Sequence, residues 1–391
     1  MRVSLFEVSM SDMVQDNKPF PAVRPIPMRY ERRTVSTAEC VRFLSDPASY
    51  GGRSGRVDVK ETHKSWVFLT TDQVYKLKKP IRNQVQDLTT LAARAANTRK
   101  EIHLNRRLAP DVYLGAVPLT LEDPGELALG GNGVIVDWLV HMRRVPETFM
   151  LDQMIVHGDV PESAIEALIN LLAEFYQNAP RSNLTPDSYV AHFEQEHAEN
   201  RRCLTDNAFP LDPGPLNALL DQFEHALGDH RTLLEGRVRE GKIVEGHGDL
   251  RPEHVCLVDP PAIIDCLEFN LSLRLVDPFD ELVFLGLECS LLGAPCIQER
   301  LVRGCAKRLD DHPPDRVLSF YEAYRALLRA RLCLAHLFEP DLREPSKWLP
   351  KARNYLGIAE QSVLTLASRE DRQTTRSHGT GGLPLQKAVR R

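Results

Sequence analysis

GHGDLRPEHVCLVDPPAIID, residues 246–265, is the stretch on which the fold reading turns. A helical pattern over 215–240 runs into it and stops at Glu240-Gly241, where glycine suits the left-handed residue that closes a helix. A tight loop holding His247 and Asp249 comes next. Val255–Val258 reads as a short strand, Asp259-Pro260-Pro261 as a turn and Ala262–Ile264 as the returning strand. The chain folds back on itself, so Asp265, at the end of the return strand, comes close to the loop that carries Asp249.

Two carboxylates placed in this way suit phosphoryl transfer from a magnesium–ATP complex. One orients, and can deprotonate, an attacking hydroxyl; the other holds a cation that neutralises charge on the phosphates. Positioning and electrostatics supply most of that catalysis and leave the protein little covalent chemistry.

On the N-terminal side, Trp66–Leu69 and Val74–Leu77 read as strands joined by a turn at Thr70–Gln73. Residues 88–107 read as a helix that stops at Ala109-Pro110, and Val112–Thr120 and Gly133–Val140 as two further strands. From Pro161 onward the pattern is mainly helical, over 162–178, 186–203, 215–240, 278–291, 296–309, 315–338 and 351–368. The expected class is α+β. A flexible tail spans 1–35, a small β-rich lobe 36–140 and a larger helical catalytic lobe 141–368. The basic, glycine-containing end over 369–391 is read as disordered.

His247-Gly248-Asp249-Leu250, a short hairpin and Ile263-Ile264-Asp265 together resemble the catalytic and metal-binding segments of aminoglycoside phosphotransferases, relatives of protein kinases. Cys266–Asn270 and Leu275–Leu282 resemble one bacterial subgroup of phosphotransferase-like proteins, some of which carry an extra P-loop ATPase domain. This chain has no G-x-x-x-x-G-K-[ST], so the resemblance implies the kinase-like half alone, over about 36–368. It implies a two-lobed protein-kinase-like fold that uses ATP and Mg2+.

Residue by residue, Asp249 matches the catalytic aspartate, Asp265 the metal-binding aspartate and His247 the histidine that holds the loop in shape. Asp277 and Asp280 match a later segment, where Asp277-Pro278 reads more simply as a helix N-cap. The resemblance places a nucleotide lysine on the strand Val74–Leu77. Alternation puts Lys76 and Lys78 on one face, so both stay candidates, the other being a solvated edge lysine. Glu101, in the following helix, matches the glutamate that pairs with that lysine; its plain alternative is a surface carboxylate. Asp137–Met142 is expected as the hinge whose backbone meets adenine, with Trp138 and Met142 as core side chains.

The sequence departs from the pattern at His254, where most relatives carry a metal-binding asparagine. Magnesium prefers oxygen ligands. The metal set is then Asp265 with His254, under three readings: one Mg2+ held mainly by Asp265, another ion such as Mn2+, or nucleotide binding without turnover. A glycine-rich phosphate loop is also missing, and Tyr50–Gly55 fits a surface loop better. His157-Gly158-Asp159 repeats the loop motif but has no hairpin after it, and reads as a helix start. His247, His254, Cys256 and Cys266 fit no usual zinc spacing.

A net charge of −5 provides no field to hold a nucleic-acid backbone. Eight irregularly spaced cysteines with no C-x-x-C pair argue for reduced thiols and a cytoplasmic setting. No apolar run is long enough for a membrane helix. The expected partner is a small-molecule hydroxyl acceptor, with the oligomeric state left open. Glu253 and Glu268 would favour a cationic acceptor, while Arg251 and Arg274 oppose a purely acidic pocket, so an aminoglycoside is not the favoured substrate. The alternative function is a kinase-like nucleotide-binding or regulatory module with little turnover.

Overall fold

The computed structural model describes residues 34–52, 55–83, 86–206, 208–338 and 345–377. Most of the N-terminal tail, residues Arg53 and Ser54 of the glycine stretch, and 378–391 of the C-terminal tail lie outside the described residues.

The smaller lobe is an antiparallel sheet of β1 (Asp58–Glu61), β2 (Ser65–Leu69), β3 (Gln73–Lys78), β4 (Tyr113–Leu121), β5 (Leu127–Leu129) and β6 (Val134–Arg143), in the order β1-β2-β3-β6-β4-β5. Alternation gives it two chemically different faces. Phe68, Tyr75, Leu77, Leu119 and Leu139 pack with Cys40 and Leu44 of α1 (Thr37–Ser45). On the other face, Val67 lies across from Lys76 and Ser65 across from Lys78. The sequence missed β1 because its Asp-Val-Lys-Glu run has a single apolar residue, itself exposed at the sheet edge. β3 is interior to the sheet, so neither of its lysines is an edge lysine.

A long helix, α2 (Leu91–Asn105), packs against β6 and β4. Thr90 caps it by accepting the Ala93 N–H, and Arg94 grips Asp137 of β6 with Nε at 3.0 and 2.9 Å from the two carboxylate oxygens. Asp137 therefore anchors a helix to the sheet and is no hinge residue. β6 continues to Arg143, and the chain crosses between lobes at 144–146. The expected hinge lay too early because the strand stays paired with β3 through Gln73–Arg143.

The larger lobe contains α3 (Leu151–His157), α4 (Glu162–Asn178), α5 (Pro186–Leu204), α6 (Pro213–Asp229), α7 (Arg231–Arg239), α8 (Pro278–Leu291), α9 (Cys296–Leu309), α10 (Asp315–Ala335) and α11 (Pro345–Ser377). Leu168, Leu172, Phe193, Phe223, Phe279 and Phe320 lie in its continuous core. The helix expected over 215–240 is two. His230 (φ −99°, ψ 4°) breaks it so that α6 packs on α11 while α7 turns onto α5. Tertiary packing overrides a continuous helical pattern there. In the motif at His157, Gly158 (φ 74°) closes α3, so this is a helix stop and not the expected start. α11 continues past 368 to Ser377, into the segment expected to be disordered. Among the described residues no helix is long and apolar enough to cross a membrane.

Two short ladders and one bridge bind the 244–276 segment into this body: β7 (Val244–Glu245) pairs with β10 (Leu275–Val276), and β8 (Val255–Cys256) with β9 (Ala262–Ile263) to form the expected hairpin, whose Cys256 bridges to Met150. A curled sheet lobe joined to a mainly helical one is the two-lobed kinase-like α+β fold.

Asp277 caps α8, its Oδ1 accepting the Phe279 N–H at 2.9 Å. It is also fully buried and held by Arg237, whose fork reaches Asp277 at 2.5 and 3.1 Å and Asp311 at 2.7 and 2.7 Å. Replacing Arg237 by Met strands two carboxylates out of water, and such losses cost about 3–5 kcal/mol. Urea unfolding of Arg237→Met should show a drop of that order; a midpoint equal to wild type would contradict the assignment.

Candidate active site

A cleft of about 810 Å³ separates the lobes. At the crossing strand it is apolar, with Leu69, Val74, Met142 and Val145; at the other end it holds Lys76, Lys78 and Lys64. Ile264, Asp265, His254 and Arg251 close it from the larger lobe. Met142 thus faces the cleft, whereas Trp138 is buried elsewhere in the smaller lobe.

Lys76 and Lys78 converge on one carboxylate. The Lys76 ammonium lies 2.9 Å from Glu101 Oε1 and 2.9 Å from Asp265 Oδ1. Lys78 pairs with the other Glu101 oxygen and with Glu268 at 2.9 Å. Glu101 and Lys78 side chains are each 1% exposed, Lys76 17% and Asp265 52%. Glu101 is therefore no surface carboxylate, and Lys78 is a buried structural cation, contrary to the solvated lysine expected of the pair's second member. Burial opposes the charge on Lys76, but Asp265 and Glu101 outweigh it and hold the ammonium well above the ordinary lysine value. Lys76 in turn keeps the Asp265 carboxyl far below the usual range.

Asp265 adopts φ 62°, in the left-handed region that costs most residues roughly 1–2 kcal/mol and that aspartate tolerates better. Hydrogen bonds hold it there. Its N–H donates to the Tyr113 hydroxyl at 3.2 Å, the Cys266 N–H to Asn105 Oδ1 at 2.9 Å and the Leu267 N–H to the His247 carbonyl at 3.2 Å. Asn105, one turn after Glu101 on α2, ties both ends of this arrangement, since its Nδ2 donates to the Glu101 carbonyl at 2.9 Å.

The loop at His247 is shaped by a residue to which the sequence reading assigned no role. Glu281 of α8, fully buried, accepts the His247 N–H at 2.9 Å, the Gly248 N–H, and the Tyr176 hydroxyl at 2.9 Å. His247 braces the loop: the Asp249 N–H donates to its Nδ1 at 3.3 Å, so Nε2 carries the proton and donates to the Ile264 carbonyl at 2.9 Å. Burial lowers its pKa to about 4, which keeps this ring neutral. Arg107 fastens the end of α2 to the loop entry, donating at 2.9 Å to the carbonyls of Glu245 and Gly246.

His254 stands between the two candidate carboxylates. Its Nδ1 donates to the Asp249 carbonyl at 2.8 Å, which leaves Nε2 as a lone pair. That nitrogen is 3.3 Å from Arg251 Nη2 and 3.7 Å from Asp265 Oδ2. Asp249 Oδ2 meets Arg251 Nη2 at 2.9 Å and lies 3.9 Å from His254 Nδ1. Burial would raise the Asp249 pKa, but His254 and Arg251 outweigh it, so the carboxylate is held below its ordinary value. The Asp265 carboxylate and His254 Nε2, which Arg251 contacts, fit a divalent cation completed by ligands from outside the chain, with the nitrogen better matched to Mn2+ than to Mg2+. Among the described residues no cluster of three or more such donors forms a metal site.

Arg274, weighed above as an opposing charge in the pocket, is a buried brace donating to Glu245 at 2.6 Å and to the Leu267 carbonyl at 2.6 Å. Glu268 is turned to Lys78 and Glu253 to Arg251 at 2.5 Å. Asp280 is likewise structural, held at 2.6 and 2.6 Å by Arg325.

The strand order and the two unlike lobes are those of the kinase-like fold. Uncharacterised proteins of Mycobacterium bovis and Mycobacterium tuberculosis are 34% identical over 282 residues, 71% of this chain and 54% of theirs. The chain thus spans about half the length of the curated relatives it matches. Among solved structures, a GDP complex of aminoglycoside 2'-phosphotransferase-IIIa aligns with TM-score 0.48 at 16% identity, over 82% of this chain and 98% of that one. A choline/ethanolamine kinase family protein from Mesorhizobium loti aligns with TM-score 0.48 at 13% identity, over 84% and 98%. No family model matches the chain.

The two lysines should separate by stability. Lys78→Met orphans part of a buried carboxylate pair and should cost on the order of 3 kcal/mol. Lys76→Met leaves Glu101 paired and frees a half-exposed Asp265, and should cost about 1 kcal/mol or less. Denaturant titration checks this; equal losses would contradict the division of roles.

Proposed function

We propose that the protein is an ATP-dependent phosphotransferase acting on a hydroxyl of a small molecule. The observation that carries this reading is the Lys76 ammonium, which bridges Glu101 of the smaller lobe and Asp265 of the larger one at 2.9 Å each, inside the cleft. In this reading the base lies against the apolar end at Val74, Met142 and Val145, and the phosphates against Lys76. Asp249 orients the acceptor hydroxyl and takes its proton, while His247 and Glu281 fix the loop that presents it. Asp265 and His254 would hold the divalent ion, Mg2+ or Mn2+. When bound, that ion supplies charge neutralisation at the phosphates.

The chemistry around Asp249 bears on the acceptor. Arg251 touches its carboxylate, and Arg329, paired with Glu288 at 2.8 Å, contributes to holding its pKa down. Positive charge beside the acceptor position disfavours a polycation. A neutral or partly anionic hydroxyl compound suits the cleft better than an aminoglycoside.

A second reading, a kinase-like nucleotide-binding module with little turnover, draws on His254 in the asparagine position. ATP consumption with Mg2+ or Mn2+ across a panel of metabolites and aminoglycosides separates the two. The enzyme reading expects turnover that falls at least about 100-fold in Asp249→Ala and in Asp265→Ala. Metal-dependent nucleotide binding with no turnover on any acceptor would favour the module, and no nucleotide binding at all would overturn both.

A further inference from the structure

Resting on the nucleotide-binding reading above, we propose that Lys64, at the tip of the hairpin joining β1 and β2, is a phosphate-binding residue that stands in for the missing glycine-rich loop.

Its position follows from the sheet. The turn Thr62-His63-Lys64 is closed by the Thr62 N–H donating to the Ser65 carbonyl at 2.8 Å and the Ser65 N–H to Thr62 Oγ1 at 3.0 Å. The Lys79 N–H donates to the Lys64 carbonyl at 2.8 Å, pinning Lys64 just beyond the end of β3. The register pairs Leu69 with Val74, Val67 with Lys76 and Ser65 with Lys78. Along the cleft face the character therefore runs from apolar to cationic and ends at Lys64. Val74 to Lys78 spans about 13 Å at ~3.3 Å per residue. That polarity suits a flat base at one end and a polyphosphate at the other.

Lys64 also differs from its neighbours in how its charge is met. Lys76 and Lys78 are already neutralised by Glu101, Asp265 and Glu268. Among the described residues, no carboxylate pairs with Lys64. Its ammonium stands 3.3 Å from the centre of the Phe269 ring and lines the same cleft. A ring face holds a cation less strongly than a charge-assisted bond to a phosphate oxygen, so this contact is exchangeable. Residues 58–69 contain no glycine, so the hairpin lacks the residue that lets backbone amides approach a phosphate closely. A long side chain reaches where the backbone does not. Phe269 lies four residues after Asp265, so the resting contact joins the hairpin tip of one lobe to the metal-side segment of the other.

The test is calorimetric titration of adenosine, AMP, ADP and ATP with Mg2+ into the full chain carrying Lys64→Met, Lys64→Arg or Phe269→Leu. The expected result for Lys64→Met is weakening that grows with phosphate number, about tenfold or more for ATP, with adenosine unchanged and the melting temperature held. Lys64→Arg should recover most of the ATP affinity, and Phe269→Leu should keep or tighten it. ATP binding equal to wild type in Lys64→Met, or an equal loss for adenosine and ATP, overturns the proposal while leaving the nucleotide reading intact. Wild type that binds no nucleotide overturns both.

Discussion

The carboxylate of Glu101, shut away from water between two ammonium groups, is the constraint on which the rest of the cleft depends. A buried charge is tolerated only when it is paired and hydrogen-bonded. Glu101 therefore fixes α2 against β3, and fixes Lys76 and Lys78 on one face of the sheet. Each lysine then extends the network into the larger lobe, one to Asp265 and the other to Glu268. The two lobes are coupled by ions and not only by surface contact.

A second buried carboxylate does the same for the loop that carries Asp249. Glu281 gathers two consecutive amides, which no strand or helix satisfies, and is itself steadied by Tyr176. An unpaired buried amide is costly, so the loop has few alternatives to this conformation. Arg107, at the end of α2, grips the carbonyls that lead into the loop. Asn105, the last residue of α2, grips the segment after Asp265. Movement of α2 would reach both segments through these bonds. Lys64 on Phe269 adds a further contact between lobes, at the mouth of the cleft.

The sequence made the centre of this arrangement readable because local chemistry dictates it. A loop, a two-strand hairpin and an aspartate at its end follow from turn residues and β-branched runs within twenty positions. Lys76 and Lys78 were legible as a pair but not as individuals, because period-2 alternation gives them the same face. What divides them is burial, set by Glu268 some 190 positions away. Glu281, Tyr113 and Asn105 carried no local signal, since each acts through a backbone group far off in sequence. The only hint for Glu281 was an acidic residue in the first turn of an otherwise apolar helix. The hinge and the break at His230 were misplaced for a related reason: strand pairing and helix packing override what adjacent residues suggest.

In the proposed function, Lys76 and Asp265 face one another across a nucleotide site. A crystal structure with a non-hydrolysable ATP analogue and Mn2+ tests it most directly. The expected result is the triphosphate lying along β3 with an oxygen on the Lys76 ammonium, and a cation between the phosphates, Asp265 and Nε2 of His254. A nucleotide bound outside the cleft, or one within it whose phosphates point toward Met142 and away from Lys76, would contradict it.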